Sequence, residues 1–91
     1  MRLDTFLRNS GRIPRRTQAK KACEGGLIEV NGQSAKSSTP VKVGQEITVR
    51  LGMSVRRYRV LQLPARPVAK AERDNYTELL NSERIEADLD W

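Results

Sequence analysis

The chain has 91 residues, 17 Lys and Arg against 11 Asp and Glu, a formal charge of +6, and 37% hydrophobic but only 4% aromatic residues. That is enough chain for one small core, too little for a catalytic domain beside a separate binding module. Cys23 is the single cysteine and there is no histidine, which excludes an internal disulfide framework and a Cys/His zinc site and fits a reducing, cytoplasmic setting.

The charge is unevenly distributed. Residues 1–60 hold 13 Lys and Arg against 4 Asp and Glu, a charge of +9, while residues 61–91 hold 4 against 7, a charge of −3. A basic body with an acidic end points to a polyanionic partner such as nucleic acid. The amino terminus lacks the apolar stretch of a signal peptide, and no run approaches transmembrane length, so no membrane is expected.

Leu3, Phe6 and Leu7 follow the i, i+3, i+4 spacing of a helix with one buried side, ending near Asn9 to Gly11. Pro14 suits a first helical position, and Ile13 before it can pack back on a second helix running to about Glu24. Ala19, Ala22 and Cys23 form the inner stripe of that helix, and Gly25-Gly26 supplies its left-handed stop. Cys23 is thereby a small core thiol, with no neighbouring base to activate it.

Asn31-Gly32 is a hairpin signal, because a type I′ turn needs positive φ at both central residues. Ile47, Val49 and Leu51 alternate with polar residues as in a half-buried strand, preceded by a turn at Val43-Gly44-Gln45. A further strand covers about Arg56 to Leu63, with Tyr58 and Val60 on one face and Arg57 and Arg59 extending the basic surface on the other. Pro64 and Pro67 bracket a stiff connector. Tyr76, Leu79 and Leu80 then predict a third helix over about 69–82, and Glu83 to Trp91 have the composition of a flexible acidic tail.

Arg16 and Lys20 lie one turn apart, opposite the apolar stripe of the second helix. Like charges at that spacing repel, and a polyanion lying across them relieves the repulsion. Arg8, Arg12, Arg15 and Lys21 can widen the patch, and arginine adds a planar fork that pairs with phosphate through two hydrogen bonds. Five to seven phosphate contacts would give log affinity against log salt a slope of about −4 to −6.

The motifs Arg2-Leu3-Asp4 with Phe6-Leu7, Arg15-Arg16-Thr17 with Ala19-Lys20, Gly26-Leu27-Ile28, and Val30-Asn31-Gly32 resemble the RNA-binding domain named for ribosomal protein S-four, also called the alpha-L domain. The resemblance implies an α+β fold: two N-terminal helices packed on a small, mainly antiparallel sheet over residues 1–63, with residues 64–91 adding a C-terminal helix and acidic tail. By position it implies that Arg2 and Arg16 touch ribosomal RNA phosphates, with Thr17 and Lys20 near the same backbone. Lys36 joins the RNA-binding set. Asn31 is chiefly a turn residue that could also contact RNA. Asp4 either orients a neighbouring arginine or favours the positive start of the first helix. Gly11 and Pro14 stand where the family often has basic or larger residues, a departure for which Arg12 can compensate.

The layout, with the domain beginning at Met1 and little after it, is similar to the small stand-alone members that act in ribosome-associated quality control. That likeness implies a monomer without cofactors, bound to large-subunit ribosomal RNA on obstructed subunits carrying peptidyl-tRNA. There it would work beside the factor that recruits alanyl-tRNA and support alanine tailing. Two alternatives stand beside it: a heat-shock-type factor that recycles large subunits, whose C-terminal extension is typically longer and basic, and a protein adaptor whose basic surface is incidental. An RNA-modifying enzyme of this family needs a large separate catalytic domain, for which there is no room.

Overall fold

The computed structural model describes residues 1–84. Helix α1 (Leu3–Asn9) and helix α2 (Arg16–Glu24) precede a five-stranded antiparallel sheet of β1 (Ile28–Val30), β2 (Gln33–Ser34), β3 (Glu46–Leu51), β4 (Ser54–Val60) and β5 (Thr77–Arg84). The strand order is β2-β1-β3-β4-β5. The α+β architecture read from the sequence is the one observed.

One continuous core explains which residues fall inside. Leu3, Phe6 and Leu7 from α1, Ala19, Ala22 and Cys23 from α2, and Ile28, Ile47, Val49, Tyr58 and Val60 from the sheet are all buried together, with Ile13 plugging the gap between the helices. Each fully buried Leu, Ile or Phe contributes about 1.5–3 kcal/mol. The small inner stripe of α2 lets it lie close to α1.

Backbone ends are closed in ways the sequence only partly announces. No side chain caps α1; instead its Leu3 and Asp4 N–H groups donate to the carbonyls of Thr39 and Ser37, so the loop after β2 terminates the helix. At the end of α2, Gly26 adopts φ +76° and its N–H donates to Cys23, while Leu27 donates to Ala22. Asn31 and Gly32 have φ +51° and +83°, as a type I′ hairpin requires. Pro14 is not the first helical residue: α2 begins at Arg16 with Arg15 extended before it.

The stretch after Pro64 departs from the predicted helix over 69–82. A 3₁₀ helix covers Lys70–Asn75 only, and Thr77–Arg84 is a strand pairing with β4. The physical reason is the open edge of β4, whose unpaired backbone groups offer β5 a full ladder. A register shift opposite Arg57/Tyr58 breaks the alternation around Leu79 and Leu80, which made adjacent leucines look helical. Of the acidic tail, Glu83 belongs to β5 and residues 85–91 lie outside the described residues. The proline connector is held without a ladder: Asn9, fully buried, donates Nδ2 to the Pro64 carbonyl at 3.0 Å and accepts the Val68 N–H on its own carbonyl. Among the described residues, no helix is long and apolar enough to cross a membrane.

Candidate RNA interface on the two helices

Packing the apolar sides of α1 and α2 together forces their polar sides to one exterior. Arg2, Asp4, Thr5, Arg16, Thr17 and Lys20 line an open depression of about 550 Å³. Arg15, Arg16, Thr17, Gln18 and Lys21 line a neighbouring one of about 480 Å³. Arg16 and Thr17 border both, so the two form a single surface carrying Arg2, Arg15, Arg16, Lys20 and Lys21. Gln18 and Thr5 were missed by the sequence reading; Gln18 stands three residues from Arg15 and from Lys21, a spacing that would have found it.

The start of α2 adds to this surface. Arg15 is extended, no side chain caps the helix, and its first turn holds no acid. The first-turn N–H groups and the positive end of the helix dipole therefore face the same exterior as the arginines, an arrangement suited to phosphate.

Asp4 is the internal anion of the face, its side chain only 7% exposed. Its Oδ1 and Oδ2 accept from Arg2 Nε and Nη2 at 3.2 and 3.3 Å, and Oδ1 also accepts the Thr5 N–H at 2.8 Å. Asp4 thus aligns the half-exposed Arg2 guanidinium and satisfies a first-turn donor. Cys23 lies within electrostatic range of Asp4. Burial above all, then the charges of Asp4 and Glu24, push its thiol up to about 11, so it stays protonated and unreactive.

Four predicted contacts fall elsewhere. Arg8 turns both Nε and Nη2 onto Asn9 Oδ1, at 3.2 and 3.1 Å. Arg12 turns inward, its guanidinium 4.5 Å from the centroid of Tyr58, Nε donating to Thr77 Oγ1 at 2.8 Å and Nη2 paired with Asp74 at 3.3 Å. Asn31 is occupied in its turn, Oδ1 accepting and its own N–H donating to the backbone of Glu46. Lys36 is exposed at the Glu24 end of α2, where the Ser37 hydroxyl chiefly, with Lys36 and Lys20, holds the Glu24 carboxyl below its usual value. Of the two outward sheet arginines, Arg57 is exposed and enters no ion pair among the described residues, whereas Arg59 lies 3.5 Å from Glu46 and 3.9 Å from Glu78; Arg50 on β3 likewise lies 3.1 Å from Glu29.

This fold, with a cationic two-helix face, defines a class that comparison makes explicit. Residues 1–47 match the S4 domain. Over 85 residues the chain is 41% identical to the RQC P-site tRNA stabilizing factor of Bacillus subtilis, covering 93% of this chain and 98% of that one. The Streptococcus pneumoniae protein of the same name is 36% identical over 89 residues, covering 98% and 100%. Heat Shock Protein 15 of Vibrio cholerae, solved as a trimer, superposes with a TM-score of 0.81 at 28% identity, covering 87% of this chain and 80% of that one. The chain belongs to the S4-domain family and, within it, to the family of the RQC P-site tRNA stabilizing factors.

Proposed function

We propose that this protein acts by binding rather than by catalysis, gripping ribosomal RNA of the large subunit through the α1–α2 face while that subunit carries peptidyl-tRNA. Arg2 and Arg16 meet phosphates first, with Thr17, Lys20, Arg15 and Lys21 along the same backbone, and Asp4 sets the angle of Arg2. The observation that carries this reading is the single surface on which five cations and an uncapped helix start converge around one internal anion. Membership among the RQC P-site tRNA stabilizing factors supports placing the protein at that tRNA in ribosome-associated quality control. There it would serve, as a cytoplasmic monomer, beside the factor that brings alanyl-tRNA for tailing of the stalled chain. Residues 1–63 carry the RNA grip in this proposal, and the segment from Pro64 onward adjusts it.

The test is co-sedimentation with large subunits prepared with and without peptidyl-tRNA. Wild-type protein should favour the tRNA-bearing particles, and Arg2→Ala with Arg16→Ala should lose them; equal retention of both proteins would refute the assignment. The likeness to Heat Shock Protein 15 favours a second reading, recycling of large subunits without tailing. Loss of alanine tails on deletion of the gene separates the two.

A further inference from the structure

On the side of the molecule where the sheet emerges from under the helices, Arg12, Val49, Leu51, Ser54, Arg56 and Tyr58 line a recess of about 160 Å³. Its chemistry differs from that of the two helical depressions, which are edged by charged and hydroxyl or amide groups alone. Val49 and Leu51 supply the smaller, apolar part of the lining, and the Arg12 guanidinium, 4.5 Å from the centroid of the buried Tyr58 ring and bonded to Thr77 and Asp74, reaches the recess with its side chain 16% exposed. Arg56 is exposed and, among the described residues, enters no ion pair, unlike Arg50 and Arg59 on the same sheet. A strand position facing the core side, opposite Val49, is an unusual place for an unpaired guanidinium.

We propose that this recess takes one unpaired nucleobase of the bound RNA, stacked on the exposed part of the Arg12 guanidinium that Tyr58 backs, with Arg56 on the phosphate beside it. Three observations select that ligand. The volume lies below the ~300–1,000 Å³ of pockets that enclose drug-sized molecules, so there is room for one ring system only. Splayed bases stack on aromatic rings and on arginine planes, and this site offers an arginine plane already fixed on an aromatic ring. A mainly polar lining of two guanidinium groups and the Ser54 hydroxyl, with Val49 and Leu51 as its apolar part, matches a base attached to its phosphate better than a phosphate alone. Arg12 then serves RNA binding after all, as a stacking plane rather than as a charge on the helical face.

The inference rests on the RNA reading above, and its test keeps the two apart. Wild-type protein bound to purified large ribosomal subunits is irradiated at short wavelength, digested, and searched by mass spectrometry for peptides carrying a nucleotide. Adducts are expected within residues 51–58, alongside any on α2. Arg56→Ala should weaken binding at least about fivefold, and Ser54→Trp, which fills the recess from its rim, should remove the 51–58 adduct while thermal unfolding shows the fold intact. Arg16→Ala should lower the amount bound and leave the adduct per bound molecule unchanged. Binding with adducts on α2 only, or unchanged affinity in both recess variants, overturns this proposal and leaves the helical face standing. No binding by the wild-type protein overturns both.

Discussion

Five cations on the α1–α2 face, Arg2, Arg15, Arg16, Lys20 and Lys21, give the RNA reading a number. Each phosphate neutralised releases counterions, at about 0.7–0.9 in slope per contact, so log affinity against log salt should fall with a slope of about −3.5 to −4.5. Between about 50 and 200 mM salt that is a loss of roughly 130- to 500-fold. The sequence alone allowed a slope as steep as about −6, because it counted Arg8 and Arg12; the structure spends those two on Asn9 and on Tyr58, Thr77 and Asp74. Filter binding with large-subunit ribosomal RNA at several salt concentrations measures the slope directly. Arg16→Ala with Lys20→Ala should flatten it by about 1.4–1.8. Arg12→Ala should leave the slope where it is and instead cost about 1–3 kcal/mol of stability, from its stacking and its hydrogen bonds. If Arg12→Ala flattened the slope as much as Arg16→Ala, or the double variant left it unchanged, the division into outward and inward cations would be wrong.

Other variants probe single contacts. Asp4→Ala removes an anion from a phosphate-binding face, so charge alone predicts tighter RNA binding; the hydrogen bonds to Arg2 and Thr5 predict the opposite, weaker binding with a stability loss of about 1–2 kcal/mol, seen together by filter binding and thermal melts. Gly11→Ala meets φ +79° and puts a methyl group onto the Arg73 side chain, whose buried Nε has no hydrogen-bond partner among the described residues. A loss of about 1–2 kcal/mol from the backbone alone should lower Tm by roughly 4–8 °C per kcal/mol, and Arg73→Ala in the same chain should recover only the steric part. The Cys23 thiol, raised from 9.0 to about 11, binds its proton more tightly folded than unfolded, so its contribution to stability is complete below pH 9 and disappears as pH rises toward 11. Native protein should therefore resist thiol labelling near pH 8 that denaturant makes rapid. Glu24 has the opposite sign: held below 4.5, chiefly by Ser37, it stabilises above that value and loses its contribution as pH falls below it, which acid titration of wild type against Ser37→Ala would reveal.

What the sequence made legible was local. The spacing of Leu3, Phe6 and Leu7, the stripe of Ala19, Ala22 and Cys23, and the Asn31-Gly32 turn each depend on neighbours within a few residues, and each is found as read. The strand Thr77–Arg84 was not legible, because Glu, Leu, Asn and Ser favour no ladder of their own. What makes it a strand is the free edge of β4, a fact about residues some twenty positions earlier. The inward turn of Arg12 was illegible for the same reason: its partners Tyr58, Asp74 and Thr77 are 46 to 65 positions away in sequence.

The same distinction explains how a chain of charge +6 gathers five cations on one face while part of its sheet is neutralised. Register in the sheet puts Glu29 and Glu46 within reach of Arg50 and Arg59, and β5 brings Glu78 to Arg59 from the other side. Cross-strand pairing thus neutralises on the sheet what helical spacing leaves exposed on α1 and α2, where Asp4, the acid that lines the face, directs Arg2 without cancelling its neighbours. Arg57, outward but absent from those pairs among the described residues, and Arg56 on the core side mark where this cancellation stops. A polyanion following the potential is led to the helices, and Arg56, in no ion pair among the described residues, borders the recess on the sheet. Neutralising the acids makes the point testable: Glu46→Gln with Glu78→Gln should free Arg59, add non-specific RNA affinity on the sheet, and steepen the salt slope by up to about 0.7–0.9 without altering the preference for tRNA-bearing subunits. A variant that gained affinity for those subunits specifically would mean the sheet, not the helices, reads the target.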